Sequence, residues 1–147
     1  MRLTSFSDYA FRLLMMADAA GDRLITIEEA AKRYRISRAH LMKVANQLTR
    51  TGFLEAVRGR SGGLQLARPA SEIRIGDVIR STEPDFGLVE CFLTGNTCVI
   101  TGYCRLPRIL NEALDAFIST MNRYTLADIS LTKVNVLLPS EPQLTAP

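Results

Sequence analysis

Every cysteine of this 147-residue chain falls between Cys91 and Cys104, in the stretch C-F-L-T-G-N-T-C-V-I-T-G-Y-C. This stretch constrains the fold most, because none of its cysteines lies in an amphipathic periodic segment that could be buried as ordinary core. Six residues separate Cys91 from Cys98 and five separate Cys98 from Cys104, and Gly95 and Gly102 in the gaps let the backbone wrap a small object. Cysteine thiolates are the ligands of iron-sulfur clusters. Three of them leave a four-ligand site one short, so a substrate, another thiol or a non-cysteine side chain would have to complete it. Other readings stay open at this point. Free cysteines often fill cores. A structural zinc site normally has four Cys or His ligands with short paired spacings, which are absent here. A disulfide is disfavoured by the odd count and by the lack of a signal peptide, both pointing to a reducing cytoplasm.

The loop divides the chain into parts of opposite charge. Residues 1–80 carry fourteen Lys/Arg against eight Asp/Glu, a net +6, whereas residues 81–147 carry four against seven, a net −3. Between Ala31 and Arg68 there are nine basic residues and a single acid, Glu55. A stretch this basic suits a polyanion, most plausibly nucleic acid. The 47% hydrophobic content suffices for a core in one domain of this length. No run of eighteen apolar residues is present, so a membrane span is excluded and a soluble, cytoplasmic protein is expected.

Along the chain, Phe6, Tyr9, Ala10, Leu13, Leu14, Ala17 and Ala20 recur three and four apart, which predicts a first helix ended by Gly21. Ser5 and Asp8 have the spacing of a capping box, and Asp8 is also one turn from Arg12. Thr26 and Glu29 start a second, short helix that runs through Tyr34. Arg35-Ile36-Ser37 turns into a third, capped by Ser37, spanning Arg38 to Thr51, with Leu41, Val44, Ala45 and Leu48 inward and Gly52 closing it. Two helices joined by a short turn form a helix-turn-helix. Its second helix presents Arg38, His40, Lys43, Asn46, Gln47 and Arg50, side chains that read base edges and phosphates. A charged outer face alone is more often merely solvated.

Residues 53–57 and 64–66 read as two strands around Arg58-Gly59-Arg60-Ser61-Gly62-Gly63. After a recognition helix such a hairpin is a wing, able to lay Arg58 or Arg60 in a narrow minor groove. Alone it would be an ordinary turn with solubilising arginines. A phosphate-binding loop is disfavoured because no helix opens after the glycines. The expected DNA contacts are Ser37, Arg38, His40, Lys43, Gln47, Arg58, Arg60 and Ser61. A connector then leads into a short helix around Gly76 to Thr82, stopped by Pro84. After Cys104, Leu106, Ile109, Leu110, Ala113, Leu114, Phe117, Ile118 and Met121 form one continuous helical stripe. Little chain remains to cover it, so a homodimer through this helix is expected, with packing against the first helix of the same chain as the alternative. Two-fold symmetry would match a palindromic operator in double-stranded DNA. Thr125 and Asp128 repeat the capping spacing, and the Pro-containing end reads as a disordered tail. The expected fold is mainly α with a small β-hairpin. Its parts are a winged helix-turn-helix over 1–83, a cluster-binding loop over 84–104, a dimerisation helix and terminal turn over 105–130, and a tail over 131–147.

Several segments together carry a resemblance: the opening M-R-L-T-S-F-S-D-Y-A-F-R, the wing V-R-G-R-S-G-G-L-Q-L, P-A-S-E-I-R-I-G-D-V-I-R, the L-V-E-C-F lead-in to the cysteines, and Y-T-L-A-D-I. Over residues 1–130 the chain resembles the NsrR-type nitric-oxide-sensing repressors, which share a winged-helix family with IscR and RirA. The resemblance implies a dimeric, non-enzymatic repressor whose DNA affinity depends on an iron-sulfur cluster, the 4Fe-4S type favoured over 2Fe-2S, and which releases its operator when nitric oxide nitrosylates the cluster. It implies Cys91, Cys98 and Cys104 as ligands, with Asp8 of the partner subunit as the fourth. The IscR type has a His three residues after the last cysteine, where this chain has Pro107; the RirA type lacks an Asp at position 8. The first cysteine gap is one residue longer than the five-and-five pattern of the family. An iron- or cluster-status regulator of RirA type is the alternative within regulation. A small iron-sulfur redox protein is the alternative outside it, and leaves the basic helix-turn-helix and wing unexplained. His40, the sole histidine, is expected to face DNA or solvent rather than a metal.

Overall fold

The computed structural model describes residues 2–131. Its helices are α1 (Ser5–Ala20), α2 (Ile27–Tyr34), α3 (Arg38–Arg50), α4 (Ile75–Thr82) and α5 (Leu106–Met121). One antiparallel hairpin, β1 (Leu54–Val57) with β2 (Gly63–Leu66), pairs Leu54 with Leu66 and Val57 with Gly63. The mainly helical winged-helix class read from the sequence is the one observed.

Local chemistry sets the starts of α2 and α3. In α2 the Thr26 hydroxyl accepts from the Glu29 amide at 3.1 Å, and in α3 the Ser37 hydroxyl accepts from the His40 amide at 3.3 Å. Between them Arg35 takes the left-handed conformation, φ 55°, which turns the chain sharply enough to set α3 across α2. The start of α1 differs from the expected Ser5–Asp8 capping box. Thr4 is the cap, accepting from the Ser7 amide, because the Glu83 carboxylate takes the Thr4 amide at 2.8 Å and holds that residue extended. Ser5 is therefore already helical. Asp8 turns instead to Arg12, with contacts of 2.8 and 3.1 Å. Gly21 closes α1 at φ 61°, and α3 ends at Arg50, one residue earlier than expected, with Thr51 as its cap.

The core lies where α1, α3 and the hairpin meet. Leu13, Leu14, Leu41, Val44 and Leu48 are fully buried there, with Ile25 and Leu54. Ile25 also forms an isolated bridge to Leu64, with N–H···O distances of 3.0 and 2.8 Å in the two directions. A single bridging residue leaves no alternating pattern to detect in the sequence. Its close approach requires glycine at the neighbouring position, since a Cβ on Gly63 would sit 2.6 Å from the Ile25 carbonyl oxygen.

The segment after α5 does not stand apart from the DNA-binding unit, as the expected division would have it. Thr125 and Asp128 form the anticipated capping box. The turn they start carries Leu126, wholly buried in the α1/α3 core, and the Leu126 amide donates to the Ile73 carbonyl at 2.8 Å. The α5 stripe is divided. Ile118 is buried against Ile75 and Ile79 of α4, with Phe11, Leu114, Phe117 and Met121 around them. Leu106 and Ile109, in the first turns, remain 48% and 54% exposed. Packing within the chain thus covers the C-terminal half only. Of the expected tail, residues 132–147 lie outside the described residues.

Candidate nucleic-acid interface and cysteine loop

Helix α3 and the hairpin present one basic face. Arg38, His40, Lys43, Asn46 and Arg50 are exposed. The contact of Arg38 with Glu28, at 3.8 Å between two largely exposed side chains, is too weak to withhold the guanidinium from a phosphate. Ser37 is exposed, but its hydroxyl serves as the helix cap. Gln47 departs from the sequence expectation. It is half-buried, its Nε2 donates to the Ser81 carbonyl at 2.8 Å, and its Oε1 accepts from Arg50 Nη2 at 2.7 Å. Both ends of the amide are therefore engaged within the protein. A cleft of about 280 Å³ between α1 and α3 brings Ser5 and Tyr9 beside His40 and Lys43.

At the wing tip Arg58, Arg60 and Ser61 are exposed. Gly59 at φ 122° permits the reversal, and the Gly62 amide donates to the Gly59 carbonyl at 3.0 Å. A Cβ on Gly62 would come within 2.3 Å of the Val57 carbonyl oxygen, so the tip admits no side chain there. At the hairpin base the Arg68 guanidinium lies 4.9 Å above the Phe53 ring, extending the basic face with a fixed cation.

The cysteine segment is irregular, with one 3-10 turn at Glu90–Phe92, but it is stitched by side chains. The Glu90 carboxylate accepts from the Thr97 amide at 3.0 Å and hydroxyl at 2.8 Å, which ties together the residues just before Cys91 and Cys98. These bonds, the backbone one first, hold the Glu90 carboxyl below the usual range. Asn96 Oδ1 accepts from the Cys98 amide at 2.9 Å, and the Thr101 hydroxyl donates to the Cys98 carbonyl at 2.7 Å. Sequence reasoning missed Glu90, Asn96 and Thr101. The seven-residue spacing from Glu90 to Thr97 has no standard motif, although an Asn two before Cys98 is a recognisable side-chain turn signal.

All three cysteines are free thiols; Cys91 and Cys104 are half-buried and Cys98 is exposed. Three free thiols on one stitched loop fit the ligand chemistry of an iron-sulfur cluster. The loop does not, however, gather them: among the described residues no three His, Cys, Asp or Glu side chains are placed to hold a metal ion. Asp8 lies on α1 in its ion pair with Arg12 and joins no such group. The expected ligand set is therefore not assembled by one chain.

The loop is rooted at the C-terminal end of α4, where three elements converge. The Ser7 and Thr82 hydroxyls share a buried hydrogen bond at 2.7 Å, Glu83 accepts from Thr4 and from the Ser7 hydroxyl, and Ser81 receives Gln47. Beside this root a cavity of about 620 Å³ is walled by Leu3, Phe86, Leu114 and Phe117.

Among the described residues, no helix is long and apolar enough to cross a membrane. Comparison with known proteins agrees with the geometry. Residues 3–131 match the family model Rrf2, described as an iron-dependent transcriptional regulator. The chain is 41% identical over 138 residues to the HTH-type transcriptional regulator NsrR of Bacillus licheniformis, covering 92% of this chain and 96% of the relative. With the Bacillus subtilis NsrR it shares 42% over 140 residues, covering 93% and 95%. In fold it is similar to IscR of T. potens, at TM-score 0.69 and 20% identity over 100% of this chain and 93% of the other. It is also similar to CymR of B. subtilis, described as a global cysteine regulator, at TM-score 0.67 and 21% identity over 88% and 96%. With a helix-turn-helix, a basic wing and 41–42% identity to transcriptional regulators over 92–93% of its length, this chain is no enzyme: it belongs to the Rrf2 family of iron-dependent transcriptional regulators.

Proposed function

We propose that the chain is a homodimeric repressor of NsrR type whose operator affinity depends on an iron-sulfur cluster and is released by nitric oxide. The observation that carries this reading is the set of three free thiols on one loop, rooted at a junction that touches both α1 and the recognition helix. Cys91, Cys98 and Cys104 would be the ligands, drawn together when the cluster binds, and Asp8 of the partner subunit the fourth. When bound, a cluster, of the 4Fe-4S type in this proposal, supplies iron centres with which nitric oxide reacts. The protein's own part is to hold Asp8 on α1, in the DNA-binding half, while the thiols sit on the arm before α5. A ligand from one copy and thiols from the other tie the two reading heads together, and loss of that tie changes the spacing of the α3 helices against a two-fold operator. In this scheme residues 1–83, with the turn around Leu126 packed into their core, read DNA, 84–104 sense, and within 105–130 the uncovered first turns of α5 join the copies. Ser37, Arg38, His40 and Lys43 face the major groove, and Arg58, Arg60 and Ser61 reach the adjacent minor groove.

Mixed dimers test the arrangement. One Asp8→Ala subunit combined with one Cys98→Ala subunit retains a single complete site if ligation crosses between copies. Ligation within one chain leaves none. Mössbauer spectra showing half the native sites support the proposal, and their complete absence refutes the cross-subunit ligand. Titration with nitric oxide then identifies the signal: if it leaves operator binding unchanged while iron depletion weakens it, the protein reports iron status instead.

A further inference from the structure

The Gln47 amide spans two elements that the rest of the interface keeps separate. Its donor end holds the carbonyl of Ser81, and its acceptor end holds Arg50, an exposed cation in the last turn of the recognition helix. Ser81 lies two residues before Glu83, where the chain leaves α4 for the cysteine segment. The same end of α4 binds the start of α1 through Thr82 and Glu83. Thr4, Phe6, Gln47 and Pro84 together line a cavity of about 420 Å³ at this joint, so there is room for the contacts to shift. A side chain that read a base edge would need a free donor or acceptor pointing at the groove. Each end of the Gln47 amide already holds a protein partner, one part-buried and one at the surface, which fixes its orientation and leaves one hydrogen and one lone pair unused.

We infer that Gln47 is a positioning residue and not a base reader: it fastens the recognition helix and Arg50 to the root of the cysteine segment, and so transmits the state of that segment to the DNA-binding face. Any movement of the loop that displaces the end of α4 must stretch the Gln47–Ser81 hydrogen bond or carry α3 with it. The transmission rests on the reading proposed above; the positioning does not.

The test uses the full chain and three variants. Gln47→Leu removes both hydrogen bonds at similar size, Gln47→Glu keeps the acceptor for Arg50 but loses the donor to Ser81, and Gln47→Lys keeps a donor toward Ser81. Operator affinity is measured on a panel of single-base operator changes, for protein reconstituted anaerobically with iron and sulfide and for metal-free protein, and thermal unfolding checks the fold. Loss of hydrogen bonds of this kind lowers affinity about five- to tenfold. For Gln47→Leu that loss is expected on every operator alike, with the ranking of bases unchanged. The affinity ratio between the two preparations is expected to fall toward one in Gln47→Leu and Gln47→Glu and to recover in Gln47→Lys. A changed preference at one base pair overturns the inference and makes Gln47 a reader. An undiminished ratio in both Leu and Glu variants overturns the transmission. If the wild-type preparations bind equally, the iron-sulfur reading and the transmission fall together, and the base panel still separates positioning from reading.

Discussion

Replacing Ile109 by glutamate separates the two halves of the α5 stripe. Full burial of an isoleucine side chain contributes about 1.5–3 kcal/mol. Ile109 still exposes 54% of its surface in the single chain, so covering the rest at an interface contributes about 1 kcal/mol per copy. A two-fold interface loses this twice, about 2 kcal/mol, and a carboxylate facing apolar surface adds at least about 1 kcal/mol more. The dimer dissociation constant should rise by more than about a hundredfold. Sedimentation velocity over a concentration series reads that change, and thermal unfolding followed by circular dichroism checks the subunit. The chain itself should stay folded, since Ile109 lies outside the Ile75–Ile79–Ile118 cluster, whereas Leu114→Glu would disturb that cluster as well. A variant that dimerises like the wild type, or a wild type that is monomeric at every concentration, refutes the placement of the interface on the first turns of α5.

Leu126→Ala should cost about 2–5 kcal/mol in urea unfolding of the whole DNA-binding unit, because Leu126 is wholly buried in its core; a loss well under 1 kcal/mol would show the terminal turn to be dispensable. The Thr125 amide, then its hydroxyl, holds the Asp128 carboxyl below its ordinary value of 3.8. Its stabilisation is thus complete above that value and lost as pH falls through the lower folded one. Asp128→Asn should flatten this part of the acid-unfolding profile, and an unaltered profile would count against the capping box. Arg58→Ala should weaken operator binding most at A·T-rich flanks, whereas Lys43→Ala should weaken it evenly; footprints showing equal losses everywhere for both would reduce the wing to general charge attraction.

The elements most legible in the sequence were those whose signals are local. Ser37 followed by an apolar period of three and four marked α3 to within one residue of its end, and the glycine-rich tip marked the hairpin. The start of α1 was misplaced by one residue because the deciding partner, Glu83, lies 79 positions from Thr4. The intramolecular partners of Gln47 were hidden for the same reason: its spacing put it on the outer face of α3, and only the approach of the α4 end supplies the Ser81 carbonyl that its amide binds. Among the proposed ligands, the cysteines were conspicuous by spacing, but spacing did not reveal that one chain leaves them ungathered.

By itself the sequence determined the helix-turn-helix, the wing and the amphipathic face of α5, since caps, apolar periods and glycine turns act over a few residues and need no distant partner. Tertiary structure alone decided how the α5 stripe is shared, the return of Leu126 into the first core, and the joint of Thr4, Ser7 and Gln47 on the end of α4. Each depends on surfaces brought together from remote positions, where close packing and the need to pair buried polar groups select one arrangement among many that local preference permits.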